Sequence, residues 1–327
     1  AKPIILTGSS SLLKRPISPL VDTLRSMGAM IEYLDTPEYL PLQFKGGRLH
    51  GGDIRINADI SSQFVSALLM IAPLLPQSLN LQLVNQEVSM PYIDLTIHLM
   101  NICGARVTRL QNNSIQVDNS GYNFSGVISV EPDWSAAAPW FAMSALRPYT
   151  SFFLQGLDIN SLQADKSLIN AFKLMGVSVL ASTEGIFLKS SGATVQEIQF
   201  DFRNCPDIAQ SVIVAASALG IRGMFTGLNT LQFKETDRYT ALKEQLSRLG
   251  VNCAGKPHEE LIFGHHASFP SSATIFTYHD HRMALAFAPL VCIMDSLTII
   301  EPQVVNKSYP FFWKHLEQIG LSLEYFD

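Results

Sequence analysis

The chain is short of charge. Asp, Glu, Lys and Arg make up only 16% of its 327 residues, against 47% apolar residues. That balance excludes a disordered chain and asks for a large core. There is no basic tail, and the formal net charge is −5. Bulk binding to nucleic acid or to an acidic membrane does not suit such a surface. No apolar helix reaches the ~18 continuous residues of a membrane span. The four cysteines, Cys103, Cys205, Cys253 and Cys292, form no CxxC pair. They read as buried thiols in a reducing compartment, which makes the cytoplasm the expected location. No charged-then-apolar leader opens the chain, and it has no low-complexity segment or long linker. Its length predicts two domains, with a boundary near residue 129, after the polar stretch NSGYNFSG.

What is present is a repeat. A helix-Gly-strand phrase recurs five times: LVDTLRSMGAMIEY, LTIHLMNICGARVT, SLINAFKLMGVSVL, YTALKEQLSRLGVN and FFWKHLEQIGLSLE. Its glycines, Gly28, Gly104, Gly176, Gly250 and Gly320, are 76, 72, 74 and 70 residues apart. One copy would fit any α/β protein, whereas five evenly spaced copies indicate a fold built from one unit. Within each phrase apolar residues keep helical spacing, as in Leu20, Leu24 and Met27 or Leu242, Leu246 and Leu249. Glycine then closes the helix in the left-handed conformation, and a β-rich run such as MIEYL or LSLEYF follows. The first glycine has only 27 residues before it. The spacing therefore predicts that the chain begins partway through a unit, with material upstream.

A second element repeats in phase. Small-residue-rich helices open on polar clusters at SSQFVSALLMIAPLL, DWSAAAPWFAMSAL, DIAQSVIVAASAL and HDHRMALAFAPLV. Asp133 to Asp207 and Asp207 to His281 are each 74 residues. Ser and Asp suit N-caps, and helices apolar nearly all round belong in the interior. The unit reads as strand, capped buried helix, strand, amphipathic helix, Gly, strand, with a further strand leading to the next.

Two charged clusters stand out from this apolar background. KETDR, Lys234 to Arg238, precedes the helix YTALKEQL. It reads either as a solvated helix start capped by Thr236 or Asp237, or as an anion site with acid–base groups beside it. HDHRMA, His279 to Ala284, places Arg282 one turn into an apolar helix, where a buried guanidinium needs a carboxylate or phosphate partner. A metal held by His279 and His281 would need further ligands, and none stands at a known spacing. Single candidates are Arg15 in LLKRPISPL, where Pro16 helps to start the helix, and Ser61, Ser62 and Gln63 at a buried helix start. Ser89 and Tyr92 stand before another helix, Asp207 opens DIAQSVIV, and Lys307 precedes the last helix. Each alone is as well explained structurally. Together they collect at helix N-termini, which in parallel helices would share one face. Two such faces would form a cleft of positive potential for a small, multiply anionic substrate.

KETDR, DHRMA, SSQF with LLMIAPL, VSMPYIDLT and LTG…KRPI…LVDTLRSMGA together resemble the EPSP synthases, in order from Ile4 to Phe326. The UDP-N-acetylglucosamine enolpyruvyl transferases share the fold and match less well. The resemblance implies an α/β, two-lobed enolpyruvyl-transferase fold of repeated βαβαββ units around an active site. Residues 1–129 would be an incomplete shikimate-phosphate-side lobe, and 130–327 a second lobe of three units. The implied reaction, part of the shikimate pathway to aromatic amino acids, transfers the carboxyvinyl group of phosphoenolpyruvate to the 5-hydroxyl of shikimate-3-phosphate. It releases phosphate by addition and then elimination. No cofactor or metal is implied, no nucleic-acid or membrane partner, and a monomer at full length. By the same resemblance, Asp207 accepts the hydroxyl proton, Glu235 helps to protonate the methylene carbon, and Lys234 lies where both substrates meet. Arg15, Gln63, Arg238, Arg282 and Lys307 contact phosphoenolpyruvate, and His281 is a further substrate-binding residue. Ser61, Ser62, Ser89, Tyr92 and Thr230 contact shikimate-3-phosphate.

The chain departs from the family in four places. The KSxSxR-type motif and the Gly-Asn-(Ala/Ser)-Gly-Thr loop are absent from it, so impaired turnover is expected of this chain alone. Ser11-Leu12 stands where Arg-Met is usual. Thr230 replaces an asparagine, and Met90 a lysine. A non-catalytic phosphate-binding relative, or a UDP-sugar enolpyruvyl transferase, is the alternative reading.

Overall fold

The computed structural model describes residues 2–10, 12–58, 61–85, 89–265 and 269–326, so Ser11 lies outside the described residues. Contacts divide the chain into two units. The first is Ala1–Val130 with Leu162–Ala164 and Phe233–Glu235; the second is Glu131–Ser161, Asp165–Gln232 and Thr236–Asp327.

The first unit runs β1 (Ile4–Leu6), α1 (Ser18–Ser26), β2 (Ala29–Tyr33), β3 (Leu42–Gly47), β4 (Gly52–Asn57), α2 (Ser62–Ile71), β5 (Leu79–Val84), α3 (Met90–Ile102), β6 (Val107–Arg109) and β7 (Ser114–Val117). From β4 to β7 this is one βαβαββ unit. Its sheet has the order β4-β5-β7-β6, with β4 and β5 parallel and the remaining pairs antiparallel. The antiparallel sheet β1-β3-β2 repeats the order of the last three of those strands. Leu79, Leu81 and Leu83 alternate on β5 and are buried, as a strand covered on one face requires. Over them pack Val65, Leu68 and Leu69 of α2 and Ile93 and Met100 of α3.

The second unit continues with α4 (Trp134–Leu146), β8 (Ser151–Gln155), α5 (Leu168–Lys173), β9 (Val177–Ser182) and β10 (Gly185–Ser190). A further βαβαββ unit follows: β11 (Glu197–Asp201), α6 (Ala209–Ala218), β12 (Arg222–Thr226), α7 (Arg238–Arg248), β13 (Cys253–Ala254) and β14 (Glu260–Phe263). The chain then runs through β15 (Ser272–Phe276), α8 (His281–Phe287), β16 (Ser296–Ile300) and α9 (Phe312–Gln318). The sheet order β11-β12-β14-β13, with β11 and β12 parallel, reproduces that of β4 to β7, and β15 and β16 are also parallel. The repeated α/β architecture is thus present in both units.

The five repeat glycines all have positive φ, from +81° to +106°. Gly104 shows why nothing larger serves: a Cβ there would lie 2.3 Å from the carbonyl oxygen of Asn123. The in-phase helices differ in depth. Eleven of 13 residues are buried in α4, nine of ten in α6 and six of seven in α8, but only three of ten in α2. In α2 most of the remaining residues are only partly buried, so its all-round apolar sequence does not make it interior.

Other details also depart from expectation. Residues 321–326 form no strand, although LSLEYF reads as one. α1 is opened by Pro19 rather than Pro16, because Pro16 falls in the preceding loop. Tyr92 lies inside α3, not before it. Among the described residues no helix is long and apolar enough to cross a membrane.

Candidate active site

Parallel strands explain where the candidate residues lie. A helix that follows a strand begins at that strand's C-terminal edge, so helices after parallel neighbours begin at the same edge. In the first unit α2 follows β4 and α3 follows β5. That brings Ser61, Ser62, Gln63, Ser89 and Tyr92 to one edge of one sheet. Ser61 is the N-cap of α2, its Oγ accepting from the Gln63 N–H at 3.2 Å. Ser89 is buried at the N-cap position of α3 without serving as a side-chain cap. Arg15 and Glu235 belong to the same unit and form an ion pair, Nη2 to Oε2, at 3.2 Å. Their side chains are 29% and 14% exposed, so the pair is held partly out of water. Arg15 Nε is buried and has no hydrogen-bond partner among the described residues. Lys234 precedes Glu235 and is half-buried.

In the second unit the same rule places Asp207 after β11, Thr230 and Arg238 after β12, His281 and Arg282 after β15, and Lys307 after β16. Four of the charged side chains there form a network. Arg238 is 1% exposed and grips Asp280 with Nε at 2.6 Å and Nη2 at 3.3 Å. Its Nη1 reaches Asp207 at 3.0 Å. Arg282 reaches the Asp207 carboxylate through Nη2 at 3.2 Å and donates from Nη1 to the Asp207 carbonyl at 3.0 Å. Asp207 therefore sits between two guanidiniums. It is not the helix cap its position in DIAQSVIV suggests: it lies in a tight turn, Pro206–Ile208, and the N-cap position of α6 is Ile208. Arg282 is the second residue of α8 rather than one turn in.

Side-chain caps open α7 and α8. The Asp237 carboxylate, not Thr236, accepts from the Thr240 N–H at 3.2 Å. Asp280 accepts from the Arg282 N–H at 2.8 Å while holding Arg238. Each such cap contributes roughly 1 kcal/mol. His281 is 7% exposed with Nδ1 3.7 Å from Asp280, and His279 pairs with Glu301 at 3.0 Å. Thr230 Oγ1 is buried and makes no hydrogen bond among the described residues. Lys307 is exposed at the end of the Pro302–Lys307 turn. Among the described residues no group of three or more His, Cys, Asp or Glu is placed to hold a metal.

Chemically, this arrangement offers a carboxylate that bonds to its neighbours in its charged form, beside two planar cations suited to carboxylate or phosphate. Sequence reasoning missed three members. Asp280 reads in DHRMA as no more than a cap, yet it is fully buried and holds Arg238. Ser135 and Asp165 join Arg282 to the start of α4: Arg282 Nη2 donates to Ser135 Oγ at 3.1 Å, and Ser135 Oγ donates to Asp165. The small-residue run around Ser135 hides the first. Nothing in LQADKS flags the second.

A family model described as EPSP synthase (3-phosphoshikimate 1-carboxyvinyltransferase) matches residues 1–316. A 3-phosphoshikimate 1-carboxyvinyltransferase of Bacteroides fragilis is 40% identical over 320 residues, covering 98% of this chain and 78% of that protein. One of Methanospirillum hungatei is 33% identical over 321 residues, covering 97% and 74%. The solved structure of an EPSP synthase from Acinetobacter baumannii superposes with a TM-score of 0.76 over 98% of this chain and 74% of that one. At 23% identity that structure speaks for the fold alone.

Proposed function

The chain belongs to the EPSP synthase family, and from that premise we propose that its residues carry out carboxyvinyl transfer from phosphoenolpyruvate to the 5-hydroxyl of shikimate-3-phosphate. The observation that carries the reading is Asp207 set between Arg238 and Arg282. Addition and then elimination need a group that takes a proton from the attacking oxygen. They also need a group that gives one to the methylene carbon, and cations that hold the phosphoenolpyruvate carboxylate and phosphate.

Asp207 accepts the proton of the 5-hydroxyl as its oxygen bonds to C2 of phosphoenolpyruvate. Glu235, in its acid form, helps to protonate C3, and Lys234 stands beside both reacting groups. A tetrahedral intermediate results. Loss of a proton from C3 then expels phosphate and leaves the enol ether. Arg15, Gln63, Arg238, Arg282 and Lys307 hold phosphoenolpyruvate, the planar guanidiniums suiting its carboxylate and phosphate, and His281 helps to bind substrate. Ser61, Ser62, Ser89, Tyr92 and Thr230 hold shikimate-3-phosphate. Thr230 suits that role because its buried hydroxyl makes no bond among the described residues. We place the enzyme in the cytoplasm, a location its four free cysteines suit.

The test is phosphate release from phosphoenolpyruvate by the full-length protein, with shikimate-3-phosphate as acceptor and a UDP-sugar as control acceptor. Release with the first alone supports the reading, and Asp207→Asn lowers kcat by about 10²-fold or more. Release with the UDP-sugar alone, or full activity in that variant, overturns it.

A further inference from the structure

Arg282 is fixed by acceptors from outside its own helix. Two belong to Asp207, its carbonyl and its carboxylate. The third is Ser135 Oγ at 3.1 Å, at the start of α4. A serine hydroxyl has one proton to give and lone pairs to receive. Here the proton goes to Asp165, which leaves a lone pair turned toward Arg282. Asp165 is 3% exposed, in a turn between β8 and α5. The backbone of Ser135 is itself held, because its N–H donates to the Asp133 carboxylate at 2.8 Å. A hydroxyl that donates to a carboxylate becomes a better acceptor, so the chain from Asp165 through Ser135 to Arg282 is mutually reinforcing.

Resting on the reading that Arg282 binds phosphoenolpyruvate, we infer that Asp165, acting through Ser135, is a positioning residue for that step. It sets the plane of the Arg282 guanidinium, and with it the direction of the N–H pair offered to the anion. A neutral serine serves better here than a second carboxylate in contact with Arg282. Asp207 already lies against that guanidinium, and another negative charge touching it would compete with the substrate for the same donors. Asp165 stays one residue removed and acts by orienting a hydroxyl.

The experiment is steady-state kinetics on the full-length Ser135→Ala, Ser135→Thr and Asp165→Asn proteins, with KM measured separately for each substrate. Ser135→Ala removes the hydroxyl and raises KM for phosphoenolpyruvate by about tenfold, leaving KM for shikimate-3-phosphate within about twofold. Asp165→Asn keeps the shape, loses the charge and moves the same constant in the same direction. Ser135→Thr restores the hydroxyl and returns KM toward wild type. A purely structural role would lower the melting temperature and the active fraction, and leave both KM values alone. Should Asp165→Asn fail to fold, the two Ser135 variants decide. Unchanged KM for phosphoenolpyruvate in a folded Ser135→Ala protein, or equal shifts for both substrates, overturns the positioning role alone. Wild-type protein without the transfer reaction overturns the functional reading and this role with it.

Discussion

Arg15 holds Glu235 by an ion pair of 3.2 Å within the first unit. Under the proposed mechanism both have another task, Glu235 as the acid for C3 and Arg15 as a clamp on phosphoenolpyruvate. An arriving anion competes with Glu235 for Arg15, so substrate binding loosens the bond that favours the charged carboxylate. The two residues therefore have separable kinetic signatures. Glu235→Gln lowers kcat by about 10²-fold or more and does not raise KM for phosphoenolpyruvate, because a competitor for Arg15 is removed. Arg15→Ala raises that KM by about tenfold or more. Phosphate-release kinetics on the two variants check this, and full turnover in Glu235→Gln would remove that residue from the mechanism.

Asp280 is fully buried, and its two oxygens serve Arg238 and the first turn of α8 together. Removing it takes two hydrogen bonds from a guanidinium that is 1% exposed and leaves it to its contact with Asp207. Asp280→Ala then costs about 3 kcal/mol, the penalty of a buried charge that has lost one of its carboxylate partners, with a lost cap included. Arg238→Met, which removes the cation instead, leaves the buried Asp280 carboxylate to the Arg282 N–H and costs about as much. Replacing both residues by apolar ones costs less than either single change, because neither buried charge is left without the partner that held it. Urea unfolding of the three variants checks the order, and additive losses would sink the argument.

Gly104 and Gly250 occupy the same place in two copies of the repeat, with φ of +85° and +89°. Their surroundings differ. A Cβ at Gly104 meets the Asn123 backbone at 2.3 Å, whereas nothing lies within 4 Å of one at Gly250. Gly250→Ala therefore costs only the left-handed strain, about 1–2 kcal/mol. Gly104→Ala costs that and the displacement of a backbone segment. The difference in denaturation midpoint between the two variants measures it. Equal losses would mean that the Asn123 segment yields freely.

The periodic part of the fold was legible because it rests on local rules. Each repeat glycine closes a helix, and Ser61, Asp133, Asp237 and Asp280 each cap one. Those signals depend on a few neighbours and are written in the sequence next to them. The site was less legible, because charge pairing joins residues far apart in the chain. Asp207 has the position of a cap, and two guanidiniums 31 and 75 residues away claim it instead. Asp165 has no local mark at all; its bond is to Ser135, 30 residues earlier. The run 321–326 shows the opposite failure: its pattern suits a strand, yet a strand needs a neighbour to pair with, and local pattern does not supply one.

Two thiols give a prediction in pH. Burial pushes Cys205 up from its ordinary 9.0 to about 12, helped by Asp165, Asp201 and Asp207 and opposed by a hydrogen bond to Ser167. Burial likewise pushes Cys253 to about 11, against a smaller effect of Lys243. The folded state thus keeps these protons at a pH where the unfolded chain has lost them. The resulting stabilisation is complete below pH 9 and declines as pH rises from 9 toward 11 and 12. Only the thiolate is nucleophilic. At pH 8 a thiol with a pKa near 12 has about one part in ten thousand in that form. Iodoacetamide at pH 8 should leave Cys205 and Cys253 unmodified in the native protein and modify both once urea unfolds it, as peptide mass mapping would record. Rapid labelling of Cys205 in the folded protein would mean that the segment between β11 and α6 opens to solvent, and the arrangement derived for the neighbouring Asp207 would fall with it.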